Sequence, residues 1–215
     1  MTDLLLSTLI AFLVTIDPIG LGPMFAGLTA GMDARYRRRT AVKGVLIGAG
    51  LLFGFAFVGE LLLNSLGIGT GAFRIAGGIL LLMVAIDMVF ARESGLRTAT
   101  PDEKEEALHK ADISVFPLAI PLIAGPGAMT STVLLMGRAD GDPLAQAAVL
   151  GVLAAVLAGT LLVLLFAGEV SRLLGVTGIN VINRVLGILL AALACQFVID
   201  GIIESGVLAQ RAGGS

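Results

Sequence analysis

Two long apolar stretches of this chain are interrupted by the same short pattern. Pro18-Ile19-Gly20-Leu21-Gly22-Pro23 and Pro121-Leu122-Ile123-Ala124-Gly125-Pro126 both read P-x-x-x-G-P, and they lie 103 residues apart. Proline removes a backbone donor and clashes with the preceding helical turn, while glycine supports a helix poorly. An apolar run with such a break at its centre cannot be one regular helix. Irregular backbone at membrane depth survives only where protein buries it or where water reaches it. The two breaks therefore belong in the interior of the molecule, near the membrane midplane and facing each other.

Composition fixes the solvent. The chain is 57% hydrophobic and 14% charged, with a mean hydropathy of +1.00; a soluble domain carries about 25% charged residues. A membrane-crossing helix needs roughly 20 apolar residues. Six segments meet that requirement, at about 4–30, 41–63, 70–91, 113–137, 144–168 and 180–206. The start of the chain lacks a basic region and an A-x-A site, so the first run reads as a retained helix rather than a cleaved signal. Residues 1–92 form a first three-helix unit, 93–112 a polar cytoplasmic loop and 113–215 a second unit. The loop holds Pro101-Asp102-Glu103-Lys104-Glu105-Glu106, which reads as a short surface helix, and His109, which reads as solvated. Cys195, the single cysteine, excludes an intramolecular disulfide and reads as a small buried hydrophobe.

Eleven of the fourteen Lys and Arg residues fall in the loops after spans one, three and five, led by the cluster Arg35, Arg37, Arg38 and Arg39. Basic loops stay cytoplasmic, so both termini face outward. The cluster itself acts as a topological anchor near anionic lipid.

The halves resemble each other beyond the two breaks. Phe57-Val58-Gly59-Glu60 matches Phe166-Ala167-Gly168-Glu169, Leu66-Gly67 matches Leu174-Gly175, and Gly78-Ile79-Leu80-Leu81 matches Gly187-Ile188-Leu189-Leu190. An odd number of spans per half makes the second copy enter from the opposite side. The predicted fold is an all-α integral membrane protein of two inverted three-helix repeats, with helices 1 and 4 broken near the midplane. That plan is the one on which secondary transporters are built.

A broken helix offers N–H groups and a partial positive charge at one new end, and carbonyls at the other. Paired breaks thus suit a zwitterion. Two readings of Asp17 stand side by side: a midplane carboxylate that meets a substrate amine, a proton or Na⁺, and an N-cap followed by Pro18 at the first helical position. Ile120 holds the corresponding place in the second copy, where Thr130, Ser131 and Thr132 supply hydroxyls instead. Symmetry suggests two bracing ion pairs, Glu60–Arg74 and Glu169–Arg184. Asp87 and Asp200 are expected to snorkel to the interface or a water cavity, Asn180 and Asn183 to cap span six, and Gly44, Gly48, Gly50 and Gly54 to form close-packing surfaces, with homo-oligomerisation left open.

Asp17-Pro18-Ile19-Gly20 with Gly22-Pro23 and Phe25, and Pro121 through Gly127 followed by Thr130-Ser131, resemble the MarC family, also called the neutral amino acid transporter family, within the LysE-like group. The resemblance spans essentially the whole chain. It implies a prokaryotic inner-membrane transporter of small neutral amino acids such as alanine or glycine, coupled to Na⁺ or H⁺. Asp17 with Gly20, Gly22, Gly125, Gly127, Thr130 and Ser131 would line the substrate site, and Pro18, Pro23, Pro121 and Pro126 would break the helices around it. Alternatives are an exporter of another small solute and a non-transporting structural or sensory membrane protein. No H-E-x-x-H, G-x-S-x-G or P-loop sequence occurs, and the lone histidine is in the polar loop. An enzyme, a metal or cofactor requirement and a nucleic-acid partner are therefore not expected.

Overall fold

The computed structural model describes residues 2–90, 113–139 and 141–205. The loop helix at 101–106, His109 and Arg211 lie outside them. Among the described residues eight helices follow in order: α1 (Thr2–Ile16), α2 (Pro18–Leu28), α3 (Ala34–Ser65), α4 (Thr70–Phe90), α5 (Ser114–Ile123), α6 (Pro126–Arg138), α7 (Pro143–Leu165) and α8 (Ala167–Glu204). Five spans are long and apolar enough to cross a membrane, and a sixth forms if the bent pair α5–α6 counts as one.

The helix starts are written in the local sequence. Asp33 caps α3 by accepting a hydrogen bond from the Tyr36 N–H, and Asp142 caps α7 by accepting from Leu144 and Ala145, with Pro143 at the first helical position. α8 starts earlier than span six does in the sequence, at Ala167, and passes through Gly175 in a left-handed conformation (φ 62°). Asn180 and Asn183 are consequently interior to α8 rather than at its cap. Gly67, which links α3 to α4, has φ 67°. The matched glycines Gly67 and Gly175 thus both have positive φ.

The first span, Thr2–Leu28, is the most enclosed: half of its apolar window is buried in the protein, against about 28–33% for the other single spans. α1 packs against α6, α7 and α8, and α2 against α7 and α8. α3 packs against α5, α6 and α7, and α4 against α6 and, along its whole length, α8. Phe12, Ile16, Leu21 and Phe25 of the first span share one core with Leu118, Leu122, Ile123 and Ala124 of the fourth.

Lipid is as apolar as leucine, so helices in a bilayer associate through close packing rather than through water exclusion. The α4–α8 contact shows how. A Cβ at Gly71 would lie 2.9 Å from the Gly201 carbonyl oxygen, one at Gly78 2.8 Å from that of Ala194, and one at Gly187 3.1 Å from the Val89 nitrogen. The two helices run antiparallel with glycine letting the backbones touch. In α3, Gly44 packs on Leu118 and Gly48 on Ile123, but Gly50 and Gly54 face outward with nothing near them. Cys195 is exposed on α8 rather than buried. An apolar run shows that a residue is inside the membrane, but not whether protein or lipid surrounds it.

Candidate functional site at the two helix breaks

The two copies of P-x-x-x-G-P interrupt their helices in different ways, and one residue explains the difference. Asp17 stands between α1 and α2 in the left-handed region (φ 47°, ψ 69°), the one non-glycine residue with positive φ among the described residues. A short polar side chain tolerates that conformation better than most. Its Oδ1 accepts a hydrogen bond from the Gly20 N–H at 3.0 Å, and Pro18 occupies the first helical position. The carboxylate is the cap that starts α2. The Asp17 N–H still reaches the Leu13 carbonyl (3.0 Å), and the Leu21 N–H the Asp17 carbonyl (3.1 Å), so the span continues past the break.

In the second copy Ile120 holds the equivalent place and has no acceptor with which to cap. Its backbone is extended (φ −126°, ψ 125°), as is that of Phe116, a conformation that β-branched and aromatic side chains favour. The Phe116–Pro117 and Ile120–Pro121 peptides are cis. α5 is held by wide i→i−5 bonds, such as Ala124 N–H to the Ala119 carbonyl at 2.8 Å. Regular helix resumes only at Pro126, behind Gly125, and α6 departs at 55° to α5. The first copy restarts its helix at its first proline and the second copy at its last.

Asp17 is fully buried, together with Pro18, Gly20 and Gly22. Gly20 has to be glycine, because a Cβ there would collide with Asp17 Oδ2 and lie 3.3 Å from Asn183 Oδ1. This places the amide of Asn183, from α8, beside the Asp17 carboxylate. Asn183 Oδ1 is buried and has no hydrogen-bond partner among the described residues. A buried acceptor left unmade costs about 1–3 kcal/mol, and a left-handed non-glycine residue costs of the same order. Both occur at one point in an apolar bundle.

The other expected site residues divide between packing and polarity. Gly22 faces Val163 Cγ1, Gly127 faces Leu81, Gly125 lies against the Pro121 carbonyl, and the Thr130 methyl presses on Gly77. These glycines let helices approach. Thr132 returns its hydroxyl to the Ala128 carbonyl at 2.8 Å. Ser131 Oγ is buried on α6, a helix that packs against α1, and has no hydrogen-bond partner among the described residues.

The ion pairs differ from the symmetric expectation. Arg74 pairs with Glu204 at 3.0 Å, not with Glu60, and Thr70 Oγ1 donates to the same carboxylate at 2.6 Å. Antiparallel packing brings the end of α8 to the start of α4, whereas Glu60 is exposed on α3. Glu169 and Arg184 are both exposed and do not pair with each other. Asp200 accepts from Arg138 at 2.7 Å and from Gln196 at 2.6 Å, with the Arg138 guanidinium 5.6 Å from the Phe197 ring centre.

Asn183 is the site residue that sequence reasoning misplaced. The signal was present, an uncharged polar side chain inside an apolar span, but locating the start of the helix at residue 180 made it a cap.

A bundle of apolar helices with two interrupted spans and a buried polar junction defines a polytopic integral membrane protein. The chain belongs to the MarC family of integral membrane proteins, whose family model matches residues 2–205. It is 35% identical over 202 residues to the UPF0056 membrane protein YvbG of Bacillus subtilis, covering 94% of this chain and 95% of that one. A UPF0056 membrane protein of Methanocaldococcus jannaschii is 38% identical over 189 residues, 87% of this chain and 90% of its own. The UPF0056 inner membrane protein YhgN of Escherichia coli K12 is 31% identical over 198 residues, 92% and 95% of the two chains. No solved structure matches the chain.

Proposed function

We propose that the protein is a secondary transporter of small neutral amino acids, binding its substrate where Asp17, Gly20 and Asn183 meet. The observation that carries this reading is the Asn183 amide oxygen, buried without a partner beside a buried carboxylate. A buried amide oxygen beside a buried carboxylate suits an ammonium group, a proton or Na⁺. The Gly125–Gly127 turn and Ser131 would contribute N–H and hydroxyl donors to a carboxylate.

An inverted repeat is supported by the packing. Exchanging the halves turns the contacts of the first span with α7 into those of the fourth span with α3. It turns the contacts of the first span with α8 into those of the fourth with α4. A Cβ at Gly78 would lie 3.0 Å from the Val198 nitrogen, and one at the matched Gly187 3.1 Å from the nitrogen of the matched Val89. Each span has its main partners in the other half, so one half rocking against the other is mechanically awkward. We take the α4–α8 pair as one moving body and the remaining helices as the second. On the charge distribution, the Arg35–Arg39 face is cytoplasmic, and both termini lie outside the bacterial or archaeal inner membrane.

The test is uptake of radiolabelled alanine and glycine into proteoliposomes under imposed Na⁺ or H⁺ gradients. Gradient-driven accumulation is expected for the wild type and lost in Asp17→Asn and Asn183→Leu, with both variants monodisperse. Absence of flux for either solute from folded protein removes the amino acid assignment.

A further inference from the structure

A cavity lies at the far end of α2 from Asp17, one 11-residue helix away, or about 16 Å. Its volume is about 460 Å³, within the range of small-molecule sites. Phe25, Leu164 and Leu165 provide an apolar wall, and charged side chains come from two other helices: Arg37 and Arg38 from the first turns of α3, and Glu169 from the first turn of α8.

Three features indicate that these charges serve a ligand. None of the three side chains enters an ion pair among the described residues, although opposite charges line one cavity. The start of α8 also lines it, and Phe166 at the N-cap supplies no side-chain hydrogen bond. The amides of Ala167, Gly168 and Glu169 precede the first i→i−4 bond of the helix, from the Val170 N–H to the Phe166 carbonyl at 2.9 Å, so they add donors and partial positive charge. α2 ends at the same cavity with its carbonyl pole, the Thr29 hydroxyl already engaged with the Phe25 carbonyl at 2.7 Å. Anion-binding groups and cation-binding groups therefore line one open cavity, with Arg37, Arg38 and Glu169 exposed at it.

We infer that this cavity is a binding site, separate from the Asp17 junction, for a zwitterion that carries an ammonium group and an anionic group. The guanidiniums of Arg37 and Arg38 and the α8 N-terminus hold the anionic group, carboxylate or phosphate, by charge-assisted hydrogen bonds. Glu169 and the α2 carbonyl end hold the ammonium. Two sources present that chemistry: a free amino acid and an ethanolamine phospholipid head group. The amino acid source rests on the transport reading; the head-group source does not.

The experiment is equilibrium dialysis of detergent-purified protein with radiolabelled L-alanine and, separately, glycerophosphoethanolamine, the soluble head group. Binding of at least one probe is expected, weakened by about tenfold or more, equivalent to at least about 1.4 kcal/mol, in Arg37→Gln/Arg38→Gln and in Glu169→Gln. Ala34→Phe, which fills the exposed rim without changing charge, should have the same effect. Asp17→Asn should remove only the alanine held at the junction and leave intact the binding that depends on Arg37, Arg38 and Glu169. Alanine binding with these sensitivities makes the cavity a solute site, and head-group binding alone makes it a lipid site. Binding of neither probe, or binding indifferent to all three changes, overturns the inference. Alanine binding lost only in Asp17→Asn overturns it too while leaving the transport reading in place.

Discussion

Asp17 performs a structural task and, in the proposed function, a chemical one. It tolerates the left-handed backbone, it caps α2 through Gly20, and its second oxygen faces Asn183. The two tasks separate by substitution. Asparagine keeps both the tolerance of positive φ and a side-chain acceptor, whereas leucine loses the cap, about 1 kcal/mol, and adds left-handed strain of about 1–2 kcal/mol. Asp17→Asn is therefore expected to unfold within about 0.5 kcal/mol of the wild type in a denaturant titration in detergent, and Asp17→Leu about 2–3 kcal/mol lower. Equal stability of the two variants would remove the capping role. The Asp-Pro-x-Gly order was legible because capping is local: acceptor, fixed φ and space for the carboxylate follow each other along the chain. The Asn183 contact was not legible, because residues 20 and 183 meet only through the packing of α2 on α8.

Among elements, the α4–α8 pair shows how glycine acts in a bilayer. Gly71 faces Gly201 and Gly78 faces Ala194, with backbone atoms where side chains would be. A leucine at Gly78 has no flexible neighbour to displace, since the Ala194 carbonyl oxygen and the Val198 nitrogen stand 2.8 and 3.0 Å from its Cβ position. At Gly50 the space is open. Gly78→Leu should abolish the monodisperse peak in size-exclusion chromatography, and Gly50→Leu should retain it at wild-type yield. Loss of both would mean that Gly50 also meets a partner, such as a second copy of the chain. Sequence marks glycine-rich helices as close-packing but does not say which glycines face protein. α3 shows why: Gly44 and Gly48 are covered by α5, while Gly50 and Gly54 lie on the opposite side of the same helix.

The molecule as a whole is an interleaved bundle in which helices of one half are held mainly by helices of the other. On the proposed orientation the Asp33 turn is cytoplasmic and Gly67 outside, and Cys195 is exposed on α8. In a Cys195→Ser background, a cysteine at position 67 should react with a membrane-impermeant maleimide in intact cells, and one at position 33 only after permeabilisation. Cys195 in the native chain should resist the impermeant reagent in both cases. The reverse pattern at 33 and 67 would invert the topology. Reading along the chain was sufficient for six apolar segments, two interruptions and the asymmetry between Asp17 and Ile120. Each depends on neighbouring residues and on the length needed to cross a bilayer. Folding in three dimensions decided the rest: Arg74 meets Glu204 instead of Glu60, Asp200 meets Arg138, and Asn183 closes over Asp17. Those pairings depend on antiparallel contacts between spans far apart in sequence, and periodicity along a single helix carries no record of its partner.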